Sequence, residues 1–135
     1  MIANMEVGRI EYFSQDATLV RLAEVPFPSQ PRFEPNQRGE IRFRSRRAYH
    51  MGCSANRGFL FALFSGRLED KYEGDARFSA QFVHVFDWDG KLRSVFQLDR
   101  DIHQIAVSPS GSVLYAASLV DGGIYRFGLP PIPER

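Results

Sequence analysis

Cysteine is almost missing from this 135-residue chain. Cys53 stands alone, which excludes an internal disulfide framework and any zinc site built from several thiolates. Long hydrophobic runs are missing too. The longest, Phe59 to Phe64, falls far short of the roughly 20 residues that span a bilayer as a helix. The first residues, Met-Ile-Ala-Asn-Met-Glu-Val, show no basic region followed by an apolar stretch, so no signal peptide is visible. No stretch of eleven or more residues keeps apolar i, i+3, i+4 spacing without an interrupting Gly or Pro, which removes the helical classes. Charge of one sign is not in excess. Seventeen Lys+Arg against sixteen Asp+Glu leave +1, so no overall field points to nucleic acid or to a membrane surface. The sequences G-x-x-x-x-G-K-[ST], G-x-S-x-G and H-E-x-x-H do not occur, leaving phosphate-loop, hydrolase-elbow and zincin chemistry without support.

What the chain does have is globular composition, 44% hydrophobic and 24% charged, enough to bury a core in one domain. Short runs of β-branched and aromatic residues recur about every ten positions, bounded by Gly, Asp, Asn or Ser. They predict strands at 7–13, 19–25, 41–43, 48–53, 59–64, 82–86, 92–98, 102–107, 113–117 and 124–129. The fold class is all-β, antiparallel. Pro26, Pro28, Pro31 and Pro35 break the rhythm as an extended connection or sheet edge, since proline donates nothing to a ladder. Residues 67–80 are polar and hold Gly74, the pattern of a long surface loop.

The chain also repeats itself. A shift of 54 lays Ala48–Ser65 over Ile102–Leu119, matching Ser54 with Ser108, Leu60 with Leu114 and Ala62 with Ala116. The turn Asn56-Arg57-Gly58 then falls on Ser110-Gly111-Ser112. Shifts of 41 and 73 align the segments at 83–86 with 124–127 and at 10–13 with 83–86. The strands therefore order as c–d, a–b–c–d, a–b–c, a four-strand unit of about 50 residues that has the size of a propeller blade. Asp89-Gly90 marks the c–d hairpin and Ser108-Pro109-Ser110-Gly111 the a–b turn.

Val85-Phe86-Asp87-Trp88-Asp89-Gly90-Lys91, Phe96-Gln97-Leu98-Asp99, Ile105-Ala106-Val107-Ser108-Pro109-Ser110-Gly111, Leu114-Tyr115-Ala116 and Ile124-Tyr125-Arg126-Phe127 resemble TolB-like six-bladed β-propellers, with NHL- and YVTN-type propellers as wider relations. The resemblance covers about Gly52–Leu129. It implies an incomplete propeller of about two and a quarter blades. A c–d hairpin of a preceding blade occupies 1–25, a Pro/Arg-rich connection 26–45, a complete blade 46–98, three strands of a last blade 99–129, and a tail 130–135. A closed six-bladed ring needs about 24 strands. The expectation is therefore the C-terminal part of a longer propeller, or a short chain that closes a ring by oligomerising.

Charge is uneven along the chain. Residues 1–67 carry ten Arg and six acids, and residues 68–135 carry seven basic and ten acidic residues, +4 against −3. That balance suits self-association, or docking onto missing propeller blades, between a basic half and an acidic half. Arg38, Arg42, Arg44, Arg46 and Arg47 are the densest cluster. Arg42 and Arg44 alternate with Ile41 and Phe43 and would share one strand face, able to take an acidic ligand or protein patch.

Asp87-Trp88-Asp89-Gly90 resembles part of a calcium loop, but Val85 and Leu98 occupy positions that need acids, so it reads as a hairpin turn. Asp99-Arg100-Asp101 precedes an inner strand, where carboxylates could bind a cation or trade protons, or form a solvated loop. His50 and His103 fall on neighbouring inner strands, as channel-lining or hydrogen-bonded core residues. With Cys53 they match no metal-ligand spacing. His84 is expected to face solvent or a neighbouring blade. No catalytic or metal-ligating set and no cofactor emerges. The expectation is a non-enzymatic binding and interaction module. The alternative, a fragment of a calcium-dependent propeller hydrolase or lactonase, would draw on Asn56, Asp99 and Asp101.

Overall fold

Alternation and β-branching are realised as sheet throughout the computed structural model, which describes residues 2–3, 10–13, 21–25, 33–43, 48–68 and 71–133. Among these residues are twelve strands: β1 (Ile2–Ala3), β2 (Ile10–Phe13), β3 (Arg21–Val25), β4 (Phe33–Pro35), β5 (Ile41–Phe43), β6 (His50–Ala55), β7 (Leu60–Phe64), β8 (Ala80–Phe86), β9 (Leu92–Ile102), β10 (Gln104–Val107), β11 (Val113–Ala117) and β12 (Ile124–Gly128). They form four antiparallel sheets ordered β1-β2-β3, β4-β5, β6-β7-β8-β9 and β10-β11-β12, each a meander of sequence neighbours. A short 3₁₀ helix, Gly74–Phe78, stands between β7 and β8.

The four-stranded sheet is the centre of the molecule. β7 reads Leu-Phe-Ala-Leu-Phe without a polar break, the mark of a strand covered on both faces. Its pleat divides those residues. Phe61 and Leu63 join Val83, Val85, Leu98 and Ile102 in one cluster with Ile105, Leu114 and Ala116 of the three-stranded C-terminal sheet. Leu60 and Ala62 face the other way with Phe86, packing against Ile10 and Tyr12 of β2. Register partners obey the same split: Phe61 opposes Val85 and Leu63 opposes Val83, while Leu60 opposes Phe86 and Ala62 opposes His84. Residues opposite one another in a ladder share a face, so one sheet serves two cores.

The first strands of successive sheets, β6 and β10, lie side by side. The Val107 amide donates to Ser54 Oγ at 2.9 Å, tying one sheet to the next.

Three details refine the sequence reading. Phe33–Pro35 in the proline-rich connection is a strand, paired with β5 through Phe33–Phe43 and Pro35–Ile41. Pro35 is tolerated because this two-stranded ribbon is all edge. Asp99-Arg100-Asp101 does precede the inner strand β10, but as the end of β9, which runs eleven residues to Ile102, rather than as a loop. Only His103 separates β9 from β10. Within the polar surface stretch, the described residues 71–80 hold the 3₁₀ helix Gly74–Phe78, and Arg67 fastens that helix to β9. Arg67 pairs with Asp101 and also donates to Ser79 Oγ at 2.8 Å and to the Ala76 carbonyl at 3.2 Å.

Because β7 is buried on both sides, truncating it leaves a cavity the sheets cannot collapse. Leu63→Ala is expected to cost about 2–5 kcal/mol in urea unfolding. Leu119→Ala, at a side chain 64% exposed, is expected to stay within about 0.5 kcal/mol. Equal losses would contradict this division of the core.

Candidate functional site

Three hairpin turns meet at one end of the two packed sheets. In the β6–β7 turn, Asn56 Oδ1 accepts from the amides of Gly58 and Phe59, each at 2.9 Å, an Asx turn closed by its own side chain. In the β8–β9 turn, Asp87 Oδ1 accepts from the amides of Asp89 and Lys91, and Gly90 takes the positive φ of 81° that the hairpin requires. The Trp88 indole N–H reaches across to donate to the Arg57 carbonyl at 2.8 Å, binding the two turns together. Its ring meets Tyr12 edge to face at 6.0 Å.

The β10–β11 turn, residues 108–112, carries a chain of serine hydroxyls. Ser108 and Ser110 Oγ lie 3.1 Å apart, and Ser110 and Ser112 Oγ 2.7 Å. Gly111 sits at φ 74°, and a Cβ there would come within 2.8 Å of Asn56 Nδ2, so glycine is needed for both conformation and clearance. The Leu129 amide donates to the Ser112 carbonyl, laying the proline-rich tail beside this turn. Between the turns and the tail lies an open groove of about 410 Å³. Asn56, Phe59, Ser110, Ser112, Leu129 and Ile132 are among its lining, which includes no charged residue.

The opposite end of the sheets is charged and internally engaged. Asp101 receives Arg67 and, at 3.1 Å, Gln81 Nε2. Arg100 holds Asp99 with two N–H groups, both at 2.8 Å, and its guanidinium lies 3.8 Å from the Tyr125 ring centroid. The Arg100 hydrogen bonds hold the Asp99 carboxyl below its usual range. His103 is satisfied at both ring nitrogens. The Leu119 amide donates to Nδ1 at 3.0 Å, so the other nitrogen carries the proton and donates to the Asp75 carbonyl at 2.8 Å.

His50 sits in an aromatic box on the face of β6–β8 that also carries Cys53. It is 2% exposed, with its ring 5.3 Å from Phe64, 6.2 Å from Phe86 and 5.5 Å from His84. His84 is half-buried and stacks on Phe64 at 4.3 Å. Burial, and then the neighbouring His84, push His50 down from 6.5 to about 3, and burial lowers His84 as well. Burial followed by the nearby Asp87 charge pushes Tyr12 up to about 12, and burial raises Cys53. Asp87 is pushed up by desolvation but pulled further down by the Lys91 amide and by Arg93, ending below its usual value.

The structure therefore brings Asp101 and Asp99 to arginines rather than to one another's ligand. Asn56 belongs to the turn end, on the order of 25 Å along β9 from Asp101. Among the described residues no three of His, Cys, Asp and Glu converge as a metal site would require. Asp87-Trp88-Asp89-Gly90 is a hairpin turn. Arg42 opposes Glu34 in the β4–β5 register, and Arg38 lies exposed in the turn between them. Arg44, Arg46 and Arg47 lie outside the described residues.

Sequence reasoning missed the groove and the aromatic box. The 54-residue shift already overlaid the two turns that frame the groove, and stacked repeats place equivalent turns side by side. Nothing in the tail's composition showed that it would fold back beside them. Comparison with protein-family models, with curated proteins and with solved structures gives no match.

The histidine box sets the acid side of stability. Neutral His50 and His84 are favoured by the fold, so their contribution is full above about pH 6.5 and is lost as pH falls toward 3. The urea midpoint is expected to fall between pH 6.5 and 4.5, above the range where carboxylates titrate. His50→Phe is expected to flatten that slope, and an unchanged slope would contradict the box as its origin.

Proposed function

We propose that the chain is a two-and-a-quarter-blade segment of a β-propeller and works as a binding and interaction module, not as an enzyme. One observation carries the reading: the turns β6–β7 and β10–β11 frame the uncharged groove with the tail, and the β8–β9 turn joins that end through the Trp88–Arg57 hydrogen bond. Rigid sheets presenting adjacent loops are a common platform for recognition. The four-strand meander β6–β9, followed by β10–β12 with its first strand beside β6, supports the propeller part of the proposal. It is the arrangement that a repeat of about 50 residues implies.

The groove's chemistry narrows the partner. The lining divides into neutral hydrogen-bonding groups, Ser110, Ser112 and Asn56, and apolar surface from Phe59, Leu129 and Ile132. A neutral, extended peptide segment with an apolar side chain fits that division better than a phosphate or an acidic sugar. The calcium-hydrolase alternative gains nothing from the geometry, because its acids are engaged by Arg67 and Arg100.

Panning a random peptide library on the chain is expected to select peptides that no longer bind Ser110→Trp, whose indole fills the groove. Peptides that bind both forms equally would contradict the groove as the site. Titration with calcium chloride in a calorimeter is expected to give no heat beyond dilution. Calcium-dependent turnover of a chromogenic ester or lactone would overturn the non-enzymatic reading.

A further inference from the structure

The central sheet is covered on both faces, but the C-terminal sheet has one face in a core. Ile105, Leu114 and Ala116 turn inward. Strand residues alternate, so Ala106, Tyr115, Ala117, Ile124 and Arg126 share the opposite face, with Ala106, Tyr115 and Arg126 in register across all three strands. Tyr115 is 46% and Ile124 82% exposed, and Leu119 at the adjoining hairpin is exposed too. Equivalent positions in the central sheet are not left to water. The repeat shifts of 54 and 41 lay Phe61 over Tyr115, Leu63 over Ala117 and Val83 over Ile124. Phe61, Leu63 and Val83 are fully buried, in the core that the central and C-terminal sheets share. The C-terminal sheet repeats the same face with nothing packed on it.

Among the described residues, the surface that matches this face is the face itself. Elsewhere the exposed large side chains are dispersed. Tyr72 and Phe78 lie beneath arginines, Trp88 is tied into its hairpin, and Leu92 and Val95 lie along β9. Two copies that meet through the β10–β12 face need no second kind of surface. With a two-fold axis along β11, β12 of each copy lies over β10 of the other at the same height. Arg126 then crosses the small Ala106, with its charged head reaching past the sheet edge to water, and Tyr115 meets Tyr115. An axis across the strands at Tyr115 would instead set Arg126 against Arg126. From strand spacing and rise, three strands of this length cover about 14 by 17 Å. That is small beside a standard protein interface, so the contact is weak and reversible.

We propose that the outer face of β10–β12, centred on Tyr115 and Ile124, packs on the same face of a second copy about a two-fold axis along β11. The contact is isologous, so assembly closes at the dimer. The +4 and −3 of the chain halves take no part in it. This inference rests on the stacked-sheet reading above but not on the groove, so peptide selection can fail while dimerisation holds, and the reverse.

Sedimentation velocity from micromolar to sub-millimolar concentration tests it on the full chain. The unmodified chain is expected to pass from monomer to dimer with concentration and no further. Tyr115→Asp brings two carboxylates together at the axis, and Ile124→Asp sets one under the other copy's β10. Each is expected to weaken dimerisation by at least about tenfold. Both side chains are exposed, so the circular dichroism spectrum is expected to stay unchanged. Should Tyr115→Asp alter it, Ile124→Asp alone decides. Ala106, also exposed, tests the axis. Ala106→Glu is expected to strengthen dimerisation severalfold by setting a carboxylate over Arg126 of the other copy, and Ala106→Arg to weaken it. A chain that stays monomeric throughout would overturn the proposal. So would growth beyond the dimer, indifference to Ile124→Asp, or weakening by Ala106→Glu.

Discussion

Burial of the central sheet on both faces is the constraint from which the remaining structure follows. β7 supplies Phe61 and Leu63 to one side and Leu60 and Ala62 to the other. A strand of this kind is stable only between two neighbours, since leaving either face in water forfeits about 25 cal/mol for each Å² of apolar area exposed. The N-terminal and C-terminal sheets are those neighbours. Each buries one face against the centre, and the outer face of the C-terminal sheet, with Tyr115 and Ile124, stays exposed.

Stacking also decides where chemistry can sit. Strand faces are consumed by packing, and the sheet ends are what remains for recognition. The two ends are used differently. At one, arginines neutralise the available carboxylates, with Arg67 on Asp101 and Arg100 on Asp99, and His103 has both nitrogens engaged. These groups brace the long connection and the β9–β10 corner. At the other, side chains satisfy their own turns, as Asn56 and Asp87 do, and a neutral groove opens between the β6–β7 turn, the β10–β11 turn and the tail. Inside the stack, burial among Phe64 and Phe86 favours the neutral forms of His50 and His84, which adds an acid-sensitive element to the second core.

Strand positions were legible in the sequence because each is a short β-branched or aromatic run between turn residues, and the chain's meander needs only neighbours in sequence to pair. The antiparallel all-β class followed directly. The apolar run at 59–64 reads in the sequence as one more strand, and its cover on both faces becomes visible only in the structure. Features that depend on contacts across sheets were hidden. Asp99-Arg100-Asp101 looks like a loop until Arg67, 34 residues away, and Tyr125 supply partners that let charged residues end a strand. His84 is expected from the sequence to face solvent or a neighbouring blade, since one polar position between Val83 and Val85 reads as alternation. It turns inward to the second core because that side also has a neighbour, the sheet containing Ile10 and Tyr12. Of the extended connection or sheet edge read from the prolines, Phe33–Pro35 takes the edge, in a two-stranded ribbon that tolerates them.

Methyl-to-methyl nuclear Overhauser effects in the labelled chain address the two-core arrangement directly. The account predicts that Leu63 shares a network with Ile105 and Leu114, that Leu60 shares a separate one with Ile10, and that the two networks do not mix. A single network containing both Leu60 and Leu63 would mean one barrel or sandwich core, and the stacked-sheet account would be wrong.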